Sequence, residues 1–452
     1  MFKYVPPGPA ERDEMLRTIG VSSIDELFSS IPAAVRLKAP PPLPEALSEI
    51  EIRRFFEQAA RDNSNFDPAA NFMGGGCYAH YVPATIDTVL ARGEFLTSYT
   101  PYQPEVAQGT LQSIFEWQTH MCILTGLEVA NASLYDGATA MVEGIFLARR
   151  SNRKERNKVV MSAAVHPNYR AVLDTYIRNL PIEVVLIPVG ADGRTDGAKL
   201  AAAVDDSTCA VVVQSPNFYG VVEDWNAAAD AAHAKGAKGV AVVAEAISLG
   251  ALAPPGYKGM DICAGEAMSF GIHPSFGGPA LGFIACRDDL KRQMPGRLCG
   301  LTVDAEGRRA FTLTLSTREQ HIRRAKATSN ICTNQGLMAL AANVYLCTMG
   351  KAGLAEVARQ CHSKSEYLKS RIANAPCFTV LYSGATFNEF VVLSTKPVGE
   401  VMCRLAGEGI AAGLPLQSID PSAPDGTILI TCTELNTREW IDRFAGILEG
   451  FS

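Results

Sequence analysis

The residues best placed to do chemistry fall into four short segments. Asp136-Gly137-Ala138-Thr139 opens a helical stretch just after Val129–Leu134. Free backbone N–H groups and a hydroxyl at a helix N-terminus make an anion site suited to a phosphate, although the same residues also make an ordinary cap and turn. His166-Pro167-Asn168 follows the apolar run Val159–Ser162; from that rim a flat imidazole either stacks on a bound ring or satisfies its own loop. Glu245 ends the run Gly239–Ala244, where an acid can pair with a protonated ring nitrogen. The densest segment is 94–112, in which Tyr99, Thr100, Tyr102, Gln103 and Glu105 stand around Pro101 and Pro104. Two prolines this close hold the intervening residues extended, so hydroxyl, amide and carboxylate groups are presented on a stiff loop before the helix at Leu111. That density favours a site or an interface; a rigid entry loop satisfying its own backbone is the structural alternative.

An anion cup, a stacking ring and an acid for a ring nitrogen are the equipment of pyridoxal-phosphate (PLP) chemistry. In PLP enzymes of the aminotransferase type, the lysine that binds the cofactor covalently sits on a loop late in an α/β domain. The matching stretch here is 259–283, with apolar runs at Met260–Ala264 and Leu281–Ala285 flanking a small-residue loop. That loop has no lysine, and His273-Pro274-Ser275-Phe276 fills the place. Glu245 departs too, because an Asp usually faces the ring nitrogen and Glu is one methylene longer. Lys258 is the nearest lysine, but it follows Pro254-Pro255-Gly256-Tyr257 in an apparent turn, which reads as surface. A stand-alone PLP enzyme using Lys258 is therefore the weaker alternative.

The elements that must position these residues are those of a mixed α/β protein. Short β-rich runs at Val159–Ser162, Glu183–Pro188, Cys209–Gln214 and Gly239–Ala244 alternate with helical stretches at Gln112–Gly126, Ala138–Arg150, Asn168–Arg178 and Asn226–Lys235. Such alternation specifies a mostly parallel sheet covered on both faces. Two long helices follow at Gln335–Gly350 and Ala352–Ala373. Strands near Phe387–Ser394 and Thr427–Cys432, with helices at Val398–Gly407 and Thr437–Leu448, make a small α+β domain. The first residues read as a helical arm: Glu11–Ile19, a start signal at Ser23-Ile24-Asp25-Glu26, and an amphipathic helix over Ala46–Arg61 after a Pro-rich linker. The expected organisation is an N-terminal arm over 1–70, a large α/β domain over 71–330, connecting helices over 331–375 and a small domain over 376–452.

Composition narrows the function classes. A chain of 452 residues exceeds what one hydrophobic core usually serves. A net charge of −6 with dispersed Lys and Arg gives no basic stripe for nucleic acid. Purely apolar runs fall far short of the ~18 residues that span a membrane. The N-terminus has no signal core, and Glu11, Asp13 and Glu14 argue against a transit peptide, so the expectation is a cytoplasmic protein. None of the 12 cysteines forms a Cys-x-x-Cys pair, so no metal site is expected, and they read as reduced and structural.

Four segments together resemble the glycine cleavage P-protein family: Phe72–Pro83, 94–112, Asn131–Thr139 and Phe276–Pro279, with Tyr4-Val5-Pro6 at the opening. More narrowly they resemble the alpha, N-terminal subunit found where the enzyme is split into two chains. The resemblance implies a fold-type I PLP architecture and an alpha–beta pair in which the beta subunit carries the cofactor lysine. It places Pro274 at the lysine position, so this chain holds no covalent PLP and retains a degenerate pocket of Asp136, Gly137, Thr139, His166 and Glu245. It further implies glycine as substrate, decarboxylation on PLP and passage of the aminomethyl group to the lipoyl arm of H-protein. A chain without the lysine then contributes architecture or groups lent to a shared site. The candidates to be lent are Tyr99, Thr100, Tyr102, Gln103 and Glu105, with His80 and Asn131 behind them. A non-catalytic scaffold is the alternative.

Overall fold

The structure is a computed structural model that describes residues 7–63, 66–152 and 155–451; the Tyr4-Val5-Pro6 motif lies outside them. The chain divides into two compact units, Met1–Asn65 and Phe66–Ser452. The arm expected over 1–70 thus ends earlier, because residues after 65 are tied to the second unit. Ala70 and Phe72 are buried in its smaller core, and the Asn436 side chain donates to the carbonyls of Ala69 and Asn71 at 3.0 and 2.9 Å.

The first unit holds helices Pro9–Ile19 and Glu49–Asp62 and a short 3-10 turn, Ile24–Phe28, capped by Ser23. The second helix begins three residues later than its apolar pattern suggests. Ser48 is the reason: its hydroxyl accepts from the Glu51 N–H while Glu51 returns a bond to the Ser48 N–H, a capping box that fixes the first turn. Ile50, Phe55 and Phe56 on this helix are exposed.

The second unit is organised around a seven-stranded sheet. Its strands are β1 (Val129–Ala130), β2 (Lys158–Ser162), β3 (Glu183–Ile187), β4 (Thr208–Gln214), β5 (Lys238–Val243), β6 (Ile262–Glu266) and β7 (Gly282–Cys286), in the order β1-β7-β6-β5-β4-β2-β3. The five strands from β3 to β6 pair in parallel; β7 runs antiparallel to β6 and β1. The expected strands match within two residues. Because both faces are covered, β4 and β5 read as unbroken apolar runs, yet successive side chains still go to opposite layers. Val211, Val213, Ala241 and Val243 pack on one side; Ala210, Val212, Val240 and Val242 pack on the other. Helix Gly137–Ser151 covers the second side, and helices Gln108–Thr125, Trp225–His233 and the first half of Gly336–Ile372 the first.

Helix Gly336–Ile372 is long and apolar enough by composition to cross a membrane, but Ala339, Ala342, Tyr345 and Leu346 lie in the core. It is the expected pair of long helices, broken at Gly350, whose φ of 58° only glycine adopts freely. Its second half leads to a four-stranded antiparallel sheet. A hairpin of β8 (Leu298–Val303) and β9 (Arg309–Thr314) precedes it; the sheet's strands are β10 (Phe378–Val380), β11 (Glu389–Ser394), β12 (Leu414–Pro415) and β13 (Thr427–Thr431), in the order β10-β11-β13-β12. The hairpin was not apparent in the sequence. Side-chain amides hold it: Gln118 exchanges two 2.9 Å hydrogen bonds with the backbone of Cys299, and Gln108 does the same with Phe311.

Candidate functional site: a cofactor cleft filled from within

Parallel sheets bind ligands at the carboxyl ends of their strands, and Asp136, Gly137, Thr139, His166 and Glu245 gather there with His80. At the end of β2, His166 caps helix Pro167–Ile177, accepting from the Asn168 N–H at Nδ1. Its Nε2 lies 2.7 Å from the Gly75 carbonyl, so the ring is a neutral tautomer with the proton on Nε2. Burial holds its pKa below the ordinary value, in keeping with that state. The Tyr169 ring stacks on it at 5.1 Å and the Phe218 ring lies 4.8 Å away. Gly76 passes so near that a Cβ there would sit 2.9 Å from the imidazole. Gln214, at the end of β4, fixes the backbone by accepting from the His166 N–H. His166 is thus a satisfied histidine with aromatic neighbours in place.

Glu245, just beyond β5, is 1% exposed and engaged. One carboxylate oxygen accepts from the Ile247 N–H and the other lies 3.0 Å from Nε2 of His80. The second nitrogen of His80 lies 2.8 Å from Glu434, in the segment after β13. Burial alone would lower the His80 pKa. The Glu245 charge and hydrogen bonds to Cys361, Glu245 and Glu434 outweigh it and hold the ring charged, well above its ordinary value. The acid expected to face a ring nitrogen therefore has its cation already, one that also ties the large sheet to the small one. His80 was expected behind the residues lent to a shared site; the structure buries it between these two carboxylates. Folding also brings nitrogen, sulfur and oxygen atoms of His80, Cys361 and Glu434 within 4.8 Å of one another, a juxtaposition that spacing could not reveal; they are hydrogen-bonded among themselves.

The helix at Gly137 carries its own anions. Asp136 caps it, its Oδ1 accepting from the Thr139 N–H at 2.7 Å and from the Thr139 hydroxyl at 2.9 Å. Glu266, the last residue of β6, accepts from the N–H of Gly137 at 3.0 Å, of Met268 at 3.0 Å and of Leu281 at 2.7 Å. Across the cleft Glu389 accepts from the Gly75 N–H, the Tyr78 hydroxyl and the Thr431 hydroxyl, each at 2.7 Å. Burial pushes its pKa up to about 7, against the pull of those three bonds. Glu266, Glu389 and Glu434 were not singled out in the sequence. For Glu266 the only local signal is an acid closing an apolar strand.

The 94–112 segment lies elsewhere and is largely on the surface, with Tyr99 74% and Tyr102 53% exposed; Gln103 and Glu105 are exposed as well. Tyr99 and Thr100 line a cavity of roughly 170 Å³ with Pro101, Ile114 and Asn334. Tyr102 accepts at 3.3 Å from the buried guanidinium of Arg297, which also donates to Asn334 and to the Cys332 carbonyl. Asn131 is buried and donates to Pro295 two residues before that arginine. Five of the seven residues expected to be lent thus stand on an outer face, and Arg297 is the anchor the sequence did not reveal.

The lysine-less loop is also outward. Ile272 is buried, but His273 to Gly277 are exposed, and Phe276 stands fully in solvent with a φ of 47°, a strained value for a bulky residue. Lys258 precedes β6 at its amino end, roughly 13 Å of strand from Glu266, so it does not serve this cleft. These residues do not fit PLP: the chain offers no lysine at 272–276, its acid is paired with His80, and carboxylates hold the helix N-terminus.

The whole chain has relatives. The family model for the glycine cleavage system P-protein matches residues 2–448. A probable glycine dehydrogenase (decarboxylating) subunit 1 from Thermomicrobium roseum is 50% identical over 445 residues, covering 98% of each chain. One from Anaeromyxobacter dehalogenans strain 2CP-C is 51% identical over 451 residues, covering 98% of this chain and 99% of the relative. Among solved structures, glycine decarboxylase (P-protein) in inhibitor-bound form superposes with a TM-score of 0.88 at 42% identity, covering 99% of both chains. A sphingosine-1-phosphate lyase from Burkholderia pseudomallei K96243, TM-score 0.67 at 17% identity, shares the fold alone. The architecture is that of fold-type I PLP-dependent enzymes, and the chain belongs to the glycine cleavage system P-protein family.

Proposed function

We propose that this chain is the alpha subunit of a two-chain glycine decarboxylase, active only with a beta subunit that carries PLP and its lysine. Glycine is the substrate, and a lipoylated H-protein receives the aminomethyl group. The observation that carries this reading is a full-length P-protein fold whose cofactor cleft lacks the lysine and is occupied by the chain's own side chains. The subunit numbering in the names of its relatives supports a partner. Twelve unpaired cysteines suit the cytoplasm, where thiols stay reduced.

The chemistry left to this chain is positioning. Tyr99, Thr100, Tyr102, Gln103 and Glu105 supply hydroxyl, amide and carboxylate groups on a stiff outer loop, available to a partner's site or to the contact around it. Purified alone, neither chain decarboxylates glycine, and the mixture exchanges bicarbonate into the glycine carboxyl group. Activity of this chain by itself would overturn the reading. A scaffold role differs in one result: Tyr102→Phe with Glu105→Gln would then leave the exchange rate of the assembled pair unchanged.

A further inference from the structure

We infer that Glu266 is an internal ligand for the anion cup at the N-terminus of helix Gly137–Ser151, and that this chain excludes phosphate by filling the cup. Three backbone N–H groups from separate segments, Gly137, Met268 and Leu281, converge on the one carboxylate. Glu266 is 7% exposed, and among the described residues its carboxylate meets those three N–H groups and no side-chain cation. Such a carboxylate is held by N–H dipoles alone, which is how a phosphate is held at a helix N-terminus.

The cup is intact apart from its occupant. Position 137 is a glycine of necessity, since a Cβ there would lie 2.1 Å from the Tyr169 hydroxyl and 2.9 Å from Glu266 Cβ. The capping Asp136 and its Thr139 partner are in place. A tethered carboxylate is always present at the site, and a diffusing dianion would have to displace it beside a second carboxylate, Asp136. The neighbouring contact points are taken as well, Glu245 by His80 and the His166 ring by Tyr169. The chain thus keeps the cradle and fills it with a ligand of its own.

This inference deepens the proposed role of the chain, and its test is independent of glycine decarboxylation. Thermal unfolding of the full chain is followed with inorganic phosphate, or with pyridoxal phosphate, against chloride at equal ionic strength. The wild-type midpoint stays where it is with either ligand. In Glu266→Ala the midpoint drops in chloride and rises progressively with phosphate, as a ligand specific to the folded state requires. Glu266→Asp keeps the anion and shows no phosphate response. Glu266→Gln keeps an acceptor for Met268 and Leu281 while freeing the Gly137 N–H, and responds less than the alanine variant. If Glu266→Ala does not fold in chloride, phosphate must restore a cooperative transition. A phosphate response in the wild type, or none in both the alanine and glutamine variants, would overturn the inference.

Discussion

Replacing Glu389 by glutamine should change how the stability of this protein depends on pH, by an amount set by its burial. In the folded chain the carboxyl group titrates at about 7 rather than at its ordinary 4.5, because burial costs the charged form more than its three hydrogen bonds return. A folded-state pKa raised above the unfolded one adds stability that is complete below pH 4.5 and is lost as pH rises through 7. At about 1.36 kcal/mol for each pH unit between those two values the difference is about 3 kcal/mol in all, most of it between pH 5 and 8. Glutamine has nearly the same shape and no titration. Its carbonyl oxygen can accept from Gly75 and Thr431, and its amide can donate to a reoriented Tyr78 hydroxyl. Urea unfolding of both proteins at pH 5, 6, 7 and 8 gives the difference in stability at each pH, which cancels the titration of every other group. Wild type should lose about 2–3 kcal/mol relative to Glu389→Gln across that range. A difference that stays flat with pH would show that Glu389 titrates normally and that this account of the cleft is wrong.

The remaining predictions concern neighbouring residues. His80→Ala leaves Glu245 and Glu434 buried without their shared cation; loss of one partner of a buried pair costs about 3–5 kcal/mol, read from urea midpoints, and a loss under about 1 kcal/mol would refute the pairing. Gly76→Ala puts a methyl 2.9 Å from the His166 ring at a φ of 93°, so stability should fall by about 1–3 kcal/mol, with a midpoint matching wild type as the contrary result. Tyr102→Phe removes one of several acceptors around Arg297; the chain alone should lose less than about 1 kcal/mol, while bicarbonate exchange by the assembled pair falls about tenfold. Val211→Ala, at a fully buried position of the interior strand β4, should cost about 1–3 kcal/mol of stability in the same unfolding assay.

How much was legible depends on the range over which each feature is encoded. Helices follow from a 3.6-residue periodicity and buried strands from short apolar runs, both within a dozen positions, so β2 to β7 and the long helices could be read directly. The hairpin β8–β9 escaped because its exposed residues, such as Val303 and Leu301, blur the alternation, and because the amides that hold it come from Gln108 and Gln118, far back in the chain. The start of helix Glu49–Asp62 moved by about a turn because its cap, Ser48, overrode the apolar pattern.

The missing lysine, the Pro101 and Pro104 that stiffen the stretch before helix Gln108–Thr125, and the set of Asp136, Gly137, Thr139, His166 and Glu245 are local facts, and the sequence alone determined them. What each residue touches is not local. His80 meets Glu245 across 165 positions and Glu434 across 354; Glu266 reaches Gly137 across 129, and Glu389 reaches Gly75 across 314. Nothing in a carboxylate's immediate neighbours says which buried donors will converge on it, because that depends on how the parallel strands stack their carboxyl ends against the small sheet. The sequence established that the cofactor's anchor is absent; only the tertiary structure decided that the space is filled, since desolvated charges must find partners wherever the fold brings them.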